Sequence, residues 1–446
     1  MHPQRFAGAP RGAPRTFVAA VALNLLIAIP VEQAAAQSSA SAPPPTADIA
    51  ARQVGDLKFR LIDISFDALF AVGGSTERDA SLGTLQGGGH DPRKRGFTVQ
   101  NIELAFTGAV DPYLRGQANI IYFIDPIEGE SLFEVEEAFA VSQTLPAGLQ
   151  VKAGQFFTEF GRINGQHPHQ WEWQDQPIIN TRLFGPDGMR GAGAQLSWLL
   201  PTAWYSTIQG GVQNANGETM TSFFSSGEAF EERPIGGRPF VEQDVRSVAD
   251  FAYAARLDNF FELCDTVGLK LGTSWLTGPN ATGAAGRTHV WGVDTHVKWQ
   301  PAQNRRGWPF VIWQTEIMGR NYRADDGVDL GDDLVDPADD TIFASEDLRD
   351  WGLYSQVLHG FVERWAAGVR YEFAGGTGTS DGMRERDPFR ADRHRVAPLV
   401  MYLPTEYSRF RLQYNYDDAD HLDDGSAHSV WLGFEFILGA HAAHKY

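Results

Sequence analysis

The chain has 446 residues, a formal net charge of -19 and a single cysteine. One cysteine, Cys264, excludes an intrachain disulfide framework and any multi-cysteine metal site. So acidic a chain is also a poor nucleic-acid binder, because it repels the phosphate backbone.

The N-terminus sets Arg5, Arg11 and Arg15 before the apolar run from Phe17 to Ile29, then Ala34, Ala35 and Ala36. This order predicts a secretory signal over residues 1–36, too short to span a bilayer. Its removal takes away three Arg and one Glu, shifting the charge from -19 to -21. Residues 37–56, rich in Ser, Ala and Pro, read as a flexible lead-in. No later run approaches the length of a transmembrane helix, so an exported chain that crosses a membrane does so as a closed β-barrel.

The pattern from 57 to 438 favours that solution. From Ile62 to Val72 the apolar residues Ile62, Ile64, Phe66, Ala68, Phe70 and Val72 alternate with a second face bearing Asp63, Ser65 and Asp67. Ile102, Leu104, Phe106 and Val110 likewise oppose Asn101, Glu103 and Thr107, and Leu114, Ala118, Ile120 and Tyr122 oppose Arg115, Gln117 and Asn119. Near the end, Phe410, Leu412, Tyr414 and Tyr416 oppose Arg409, Arg411, Gln413 and Asn415, and Val430, Leu432, Phe434, Phe436 and Leu438 oppose Trp431, Gly433 and Glu435. Apolar-out, polar-in alternation of this length suits a lipid-facing wall around water.

Sixteen strands are predicted, near 61–72, 98–110, 113–124, 133–142, 149–157, 193–200, 205–214, 250–258, 267–276, 288–299, 310–320, 351–360, 364–373, 395–403, 408–417 and 428–438. Weak patterning near 250–258, 351–360 and 395–403, the last holding Pro398, leaves 14 or 18 open. Connections tend to alternate short and long, as periplasmic turns and external loops do. The expected fold is all-β: a transmembrane antiparallel barrel over 57–438, with 439–446 as a tail. In the hairpin EEAFAVSQTLPAGLQVKAGQFF, Phe139, Val141, Leu149, Val151 and Ala153 are expected to face lipid, and Glu136, Gln150 and Lys152 water.

The run NIELAFTGAVDPYLRGQANIIYF, followed by VEEAFAVSQTLPAGLQVKAGQFFTEFG, resembles the phosphate-selective porin O and P family. GVQNANGE, SWLTGPN, WGVDTHVKWQP and AAGVRYEF extend the likeness along the chain. The resemblance implies a homotrimeric, 16-stranded diffusion channel in the outer membrane, surrounded by lipid and lipopolysaccharide, whose third external loop narrows the pore. That loop is 158–192, with Glu159, Arg162, His167, His169, Glu172, Asp175, Arg182, Asp187 and Arg190. Mixed charge at a constriction sorts ions by sign.

Candidate pore-lining bases are Arg115, Lys152, Arg256, Lys270, Lys298, Arg320, Arg370, Arg409 and Arg411. Guanidinium groups would suit phosphate. Yet Asp63, Asp67, Glu103, Glu136, Asp258, Asp294, Glu316, Glu372 and Glu435 share the same faces, so phosphate, other anions and cations all stay open as solutes. Eight Asp between 325 and 340 read as a solvated external loop, with divalent bridging to lipopolysaccharide as the alternative.

His167-Pro-His169, and His441 and His444 in the tail, raise a zinc-related uptake channel as an alternative function, although two imidazoles alone do not make a specific site. No metal and no cofactor are therefore expected. A non-conducting surface barrel is a further alternative. A barrel-embedded hydrolase is the remaining one, but the chain has no G-x-S-x-G, H-E-x-x-H or P-loop, so no catalytic residues and no enzyme activity are expected.

Overall fold

A computed structural model describes residues 51–54, 57–60, 62–125, 129–329, 341–378 and 387–439. The expected signal segment, most of the lead-in, most of the acidic stretch 325–340 and the tail beyond Gly439 lie outside the described residues.

Sixteen antiparallel strands close into one barrel. They are numbered β1 (Asp63–Ser75), β2 (Gly96–Ala109), β3 (Leu114–Ile124), β4 (Ser131–Ser142), β5 (Leu149–Phe157), β6 (Arg190–Leu199), β7 (Tyr205–Asn214) and β8 (Phe251–Cys264). The second half comprises β9 (Val267–Pro279), β10 (Arg287–Trp299), β11 (Phe310–Ala324), β12 (Glu346–Val362), β13 (Trp365–Thr377), β14 (Arg393–Thr405), β15 (Ser408–Ala419) and β16 (Ser426–Gly439). Each lies on one of the sixteen expected segments. Closure pairs β16 with β1, Leu432 opposite Val72, so no edge is left to pair with another chain.

Exposure alternates along the walls as a lipid-facing surface requires. On β15 the exposed Phe410, Leu412 and Tyr416 interleave with the buried Arg409, Arg411, Gln413, Asn415 and Asp417. Outward aromatics cluster near the short-turn ends, as Trp204, Tyr205, Trp299, Trp365 and Tyr407 do, and again higher up, where Trp275 pairs with Trp291. Such belts anchor a barrel at the two bilayer interfaces. Among the described residues no helix is long and apolar enough to cross a membrane. A closed, belted barrel of this kind belongs in the bacterial outer membrane.

Pro398, which weakened the strand expectation, is outward and exposed on β14. The ladder to β15 runs from Val396 opposite Tyr416 straight to Leu399 opposite Gln413, skipping the position where proline has no N–H. Beside it, the Ala397 carbonyl accepts the Trp173 indole N–H at 2.8 Å.

One register expectation is overturned. The β3–β4 ladder has Asn119 opposite Glu137 but Ile120 opposite Val135, so Glu136 is an extra residue and both glutamates turn inward. The bulge inverts the phase below it. Phe139 lies opposite inward Gln117 and Val141 opposite Arg115, so both face the interior and not lipid. Lys152 Nζ sits 5.1 Å from the Phe139 ring, as only a shared face allows. Val151 and Ala153 are outward and exposed, as expected.

Candidate functional site

The long loops fold into the barrel. The connection 158–189 between β5 and β6 runs through the interior, and its short helix α1 (Ile178–Phe184) is buried at every residue. Ile178, Ile179, Leu183 and Phe184 join Met220, Phe223 and Phe224 of the loop after β7, and pack on Leu276, Val290, Met318 and Tyr354 of the inner wall. A dry core thus forms inside the barrel, against β8 to β13. Gly185, at φ 79°, ends the helix in a conformation open to glycine, and a Cβ there would meet Thr221 Oγ1 at 2.3 Å. At the helix start, Glu372 on β13 accepts the Ile178 N–H at 2.6 Å, supplying a carboxylate where the helix dipole favours one.

The preceding stretch, 167–175, is held by charge. Asp175 is fully enclosed and accepts from Arg370, from Arg395 at 3.0 Å, and from Gln413 and Asn415 at 2.8 Å each. Burial alone would raise its carboxyl, but the Arg370 and Arg395 charges hold it below the usual range. Those arginines are themselves paired further along the wall: Arg370 with Glu372 at 2.7 Å, and Arg395 with Asp417 at 2.8 Å. Arg409 and Arg411 share Glu435 at 2.7 and 3.0 Å, and donate to the carbonyls of His169, Trp171 and Trp173. Gln174 donates to the carbonyls of Arg411 and Trp431, lying over Gly433. Asp91, from the loop after β1, accepts the Gln176 N–H at 2.8 Å; burial and the nearby Asp175 charge push its carboxyl up to about 6.

The third contact closes a seam. The β4–β5 ladder covers only Ala138–Val141, and above it the strands part. There Gln155 bridges to the Val135 carbonyl, and the Phe157 N–H donates to Glu137 at 3.0 Å. A 3-10 turn at Pro168–Gln170 delivers both histidines to this gap, their rings stacked 5.7 Å apart. His167 Nδ1 lies 2.7 Å from Glu136 and its Nε2 3.0 Å from Glu137; His169 Nδ1 lies 3.1 Å from Glu103. Burial would lower the His167 imidazole, but the charges of Glu103 and Glu136 hold it well above its usual range. Arg190, at the start of β6, contacts Glu134 and stacks 5.5 Å from Phe157.

The structure therefore divides the expected pore-lining set. Arg182, Arg190, His167, His169, Arg370, Arg409 and Arg411 are all at most 9% exposed. Arg190, Arg370, Arg409 and Arg411 point inward from the wall yet sit sealed beneath the loop, and His167, His169 and Arg182 are buried residues of the loop itself, so the expectation that they line water is corrected on that point. Arg115 is exposed, and Lys152, Glu159 and Arg162 stay partly accessible, with Lys152 and Glu159 paired at 3.0 Å. Arg393, Arg395, Asp417 and Glu137 carry much of the network without having been singled out from sequence. Arg395 already lay in the expected strand 395–403 and Arg393 shares its parity two residues earlier, and Glu137 is visible only once the bulge is known.

No family model matches the chain. It is similar to an uncharacterized protein of Aquifex aeolicus, 29% identical over 416 residues, covering 86% of this chain and 80% of that one. Among solved structures, the anion-selective porin from Comamonas acidovorans superposes with a TM-score of 0.50 at 7% identity, covering 84% of this chain and 99% of that one. OprB of Pseudomonas putida gives 0.50 at 11% identity, covering 84% and 94%. The fold is that of the outer-membrane porins.

Proposed function

We propose that the protein is a passive channel for small ions and polar solutes, with a preference for anions. One observation carries this reading: six enclosed acids of the interior are each neutralised by an equally enclosed arginine, whereas four accessible bases are not paired among the described residues. Asp175, Glu372, Asp417, Glu435, Asp350 and Asp294 are all paired with arginine and enclosed. Arg115, Arg162, Lys270 and Lys298 remain accessible on the inner side, and among the described residues none of them has an ion pair; of the accessible inner acids, Asp258 and Glu159 are paired with Arg256 and Lys152, and Asp63 and exposed Glu262 are the counterparts. Accessible, unneutralised cations lower the entry barrier for anions.

Phosphate as a favoured anion rests on the resemblance to the phosphate-selective porins O and P. Assembly as a homotrimer rests on the same resemblance, and it is supported by small outward residues on adjoining strands, Ala140, Ala153, Ala194 and Gly210, which allow close approach between barrels.

Single-channel recording of the refolded protein across a KCl gradient tests the proposal. The expected result is conductance with an anion-signed reversal potential that moves toward cation preference in Lys270→Glu/Lys298→Glu. A cation-signed potential in the wild type, or folded barrel without conductance, overturns it.

A further inference from the structure

We infer that the seam between β4 and β5 is a binding site for a divalent transition metal, Zn2+ foremost, that fastens the inner loop to the wall. The donors are His167 Nδ1, Glu103 and Glu136, whose ligand atoms all lie within 4.8 Å of one another. His167 Nδ1 is 2.7 Å from Glu136 Oε2 and 3.4 Å from Glu103 Oε2. A tetrahedral zinc with bonds near 2.0–2.1 Å separates its donors by about 3.3 Å; the Glu103 spacing matches this, and the His167–Glu136 pair, now joined by a hydrogen bond, would open by about 0.6 Å as the ion takes the place of the shared proton. One imidazole with two carboxylates is a borderline-soft N/O set that suits Zn2+ over Ca2+ or Mg2+.

The surroundings are those of a ligand set and not of a chance cluster. Glu137 Oε2 stands 3.0 Å from His167 Nε2, on the ring nitrogen facing away from the donors. A carboxylate there fixes ring orientation and tautomer and makes the ligating nitrogen more basic. Glu103 is held in turn by His169 Nδ1 at 3.1 Å and by the Asn119 amide.

Charge supplies an independent argument. Asp67 is 3% exposed, lies opposite Glu103 in the β1–β2 ladder, and among the described residues neither of its carboxyl oxygens has a hydrogen-bond donor. Four buried carboxylates, Asp67, Glu103, Glu136 and Glu137, thus crowd two imidazoles. A buried carboxylate without a donor is costly and takes up a proton unless a cation offsets it; the Arg190 guanidinium stands 4.0 Å from Glu136, and a dication between Glu103 and Glu136 would neutralise the cluster compactly. The inference does not depend on which solute the channel passes: the ion would be structural.

The test uses full-length refolded barrel in detergent, with His441→Ala/His444→Ala in every sample so that the tail histidines contribute nothing. After chelation and dialysis, Zn2+ is titrated calorimetrically and retained metal is counted. One equivalent is expected, with Co2+ giving the absorption bands of a low-coordinate N/O site. His167→Gln and Glu103→Gln should weaken binding at least 100-fold, and Glu137→Gln, which removes only the orienting carboxylate, about 10-fold. Heat-modified gel mobility verifies that each variant is a folded barrel. Absence of stoichiometric Zn2+ in the folded parent, or unchanged affinity in folded His167→Gln, overturns the inference. So does Ca2+ competing on equal terms with Zn2+, which would mark a carboxylate cluster without imidazole ligation.

Discussion

The two halves of the inner loop are held by opposite kinds of physics. Residues 178–184 lie in a dry core against β8 to β13, where Ile179 and Leu183 are fully buried. Residues 167–175 lie in a lattice of arginines, carboxylates and amides against β1 to β4 and β13 to β16, from which only the Trp171 and Trp173 side chains reach into apolar clusters. The dry half makes no demand on direction, because apolar contacts are non-directional, and its cost of error is set by the cavity left behind. The charged half does, because each group left unpaired keeps its full desolvation cost. A loop that has to seal a seam and still leave a water path beside it gains position from the second kind of contact and cohesion from the first.

The contrast can be broken most severely at Asp175. Asp175→Ala leaves Arg370, Arg395, Gln413 and Asn415 facing a void, and losing one partner of a buried pair costs about 3–5 kcal/mol. The expected outcome is a barrel whose loop is cleaved by added protease and whose conductance is larger and noisier. Leu183→Ala attacks the dry half and should cost about 2–4 kcal/mol, through lost burial plus a cavity. Its signature differs: denaturation shifts while ion selectivity stays as in the wild type, since no charge moves. Gly433→Ala is milder. The new methyl would meet Gln174 Oε1 at 2.2 Å and displace the two bonds Gln174 makes to the Arg411 and Trp431 carbonyls. About 1–2 kcal/mol is expected, seen as faster proteolysis of the loop.

Strand positions were legible in the sequence because the two faces of a membrane wall meet solvents as different as lipid and water. That contrast repeats along β15 and β16 with hardly an interruption. Interior contacts were not legible, for two reasons that particular residues show. Parity places Arg409 and Arg411 inward, but it does not say whether water or a loop covers them, since a buried paired arginine and a pore-lining one share the same alternation. A bulge is one residue long: at Glu136 it moves Phe139 and Val141 from one face to the other, while the composition of the strand reads the same. His167 and His169 were noticed as a pair, but their partners Glu103, Glu136 and Glu137 come from β2 and β4, on either side of β3, and only the fold of the loop sets the histidines against them.

Lys152→Glu is the smallest perturbation and the one that separates wall from loop most finely. Lys152 faces inward between the rings of Phe139 and Phe156, each 5.1 Å away, and pairs with Glu159 just beyond the end of β5. Both partners are partly exposed, so the pair contributes at most about 1 kcal/mol, and the barrel should unfold as the wild type does. The substitution nevertheless replaces a cation by a carboxylate facing Glu159, where the loop leaves the wall. Because Arg162, Lys270 and Lys298 keep their charges, the reversal potential should move toward cation preference by less than in Lys270→Glu/Lys298→Glu. An equal or larger shift would mean that the ion path runs along β4 and β5. No shift would place it wholly on the β9 and β10 side, and in either case the accessible cations could no longer be treated as one ring.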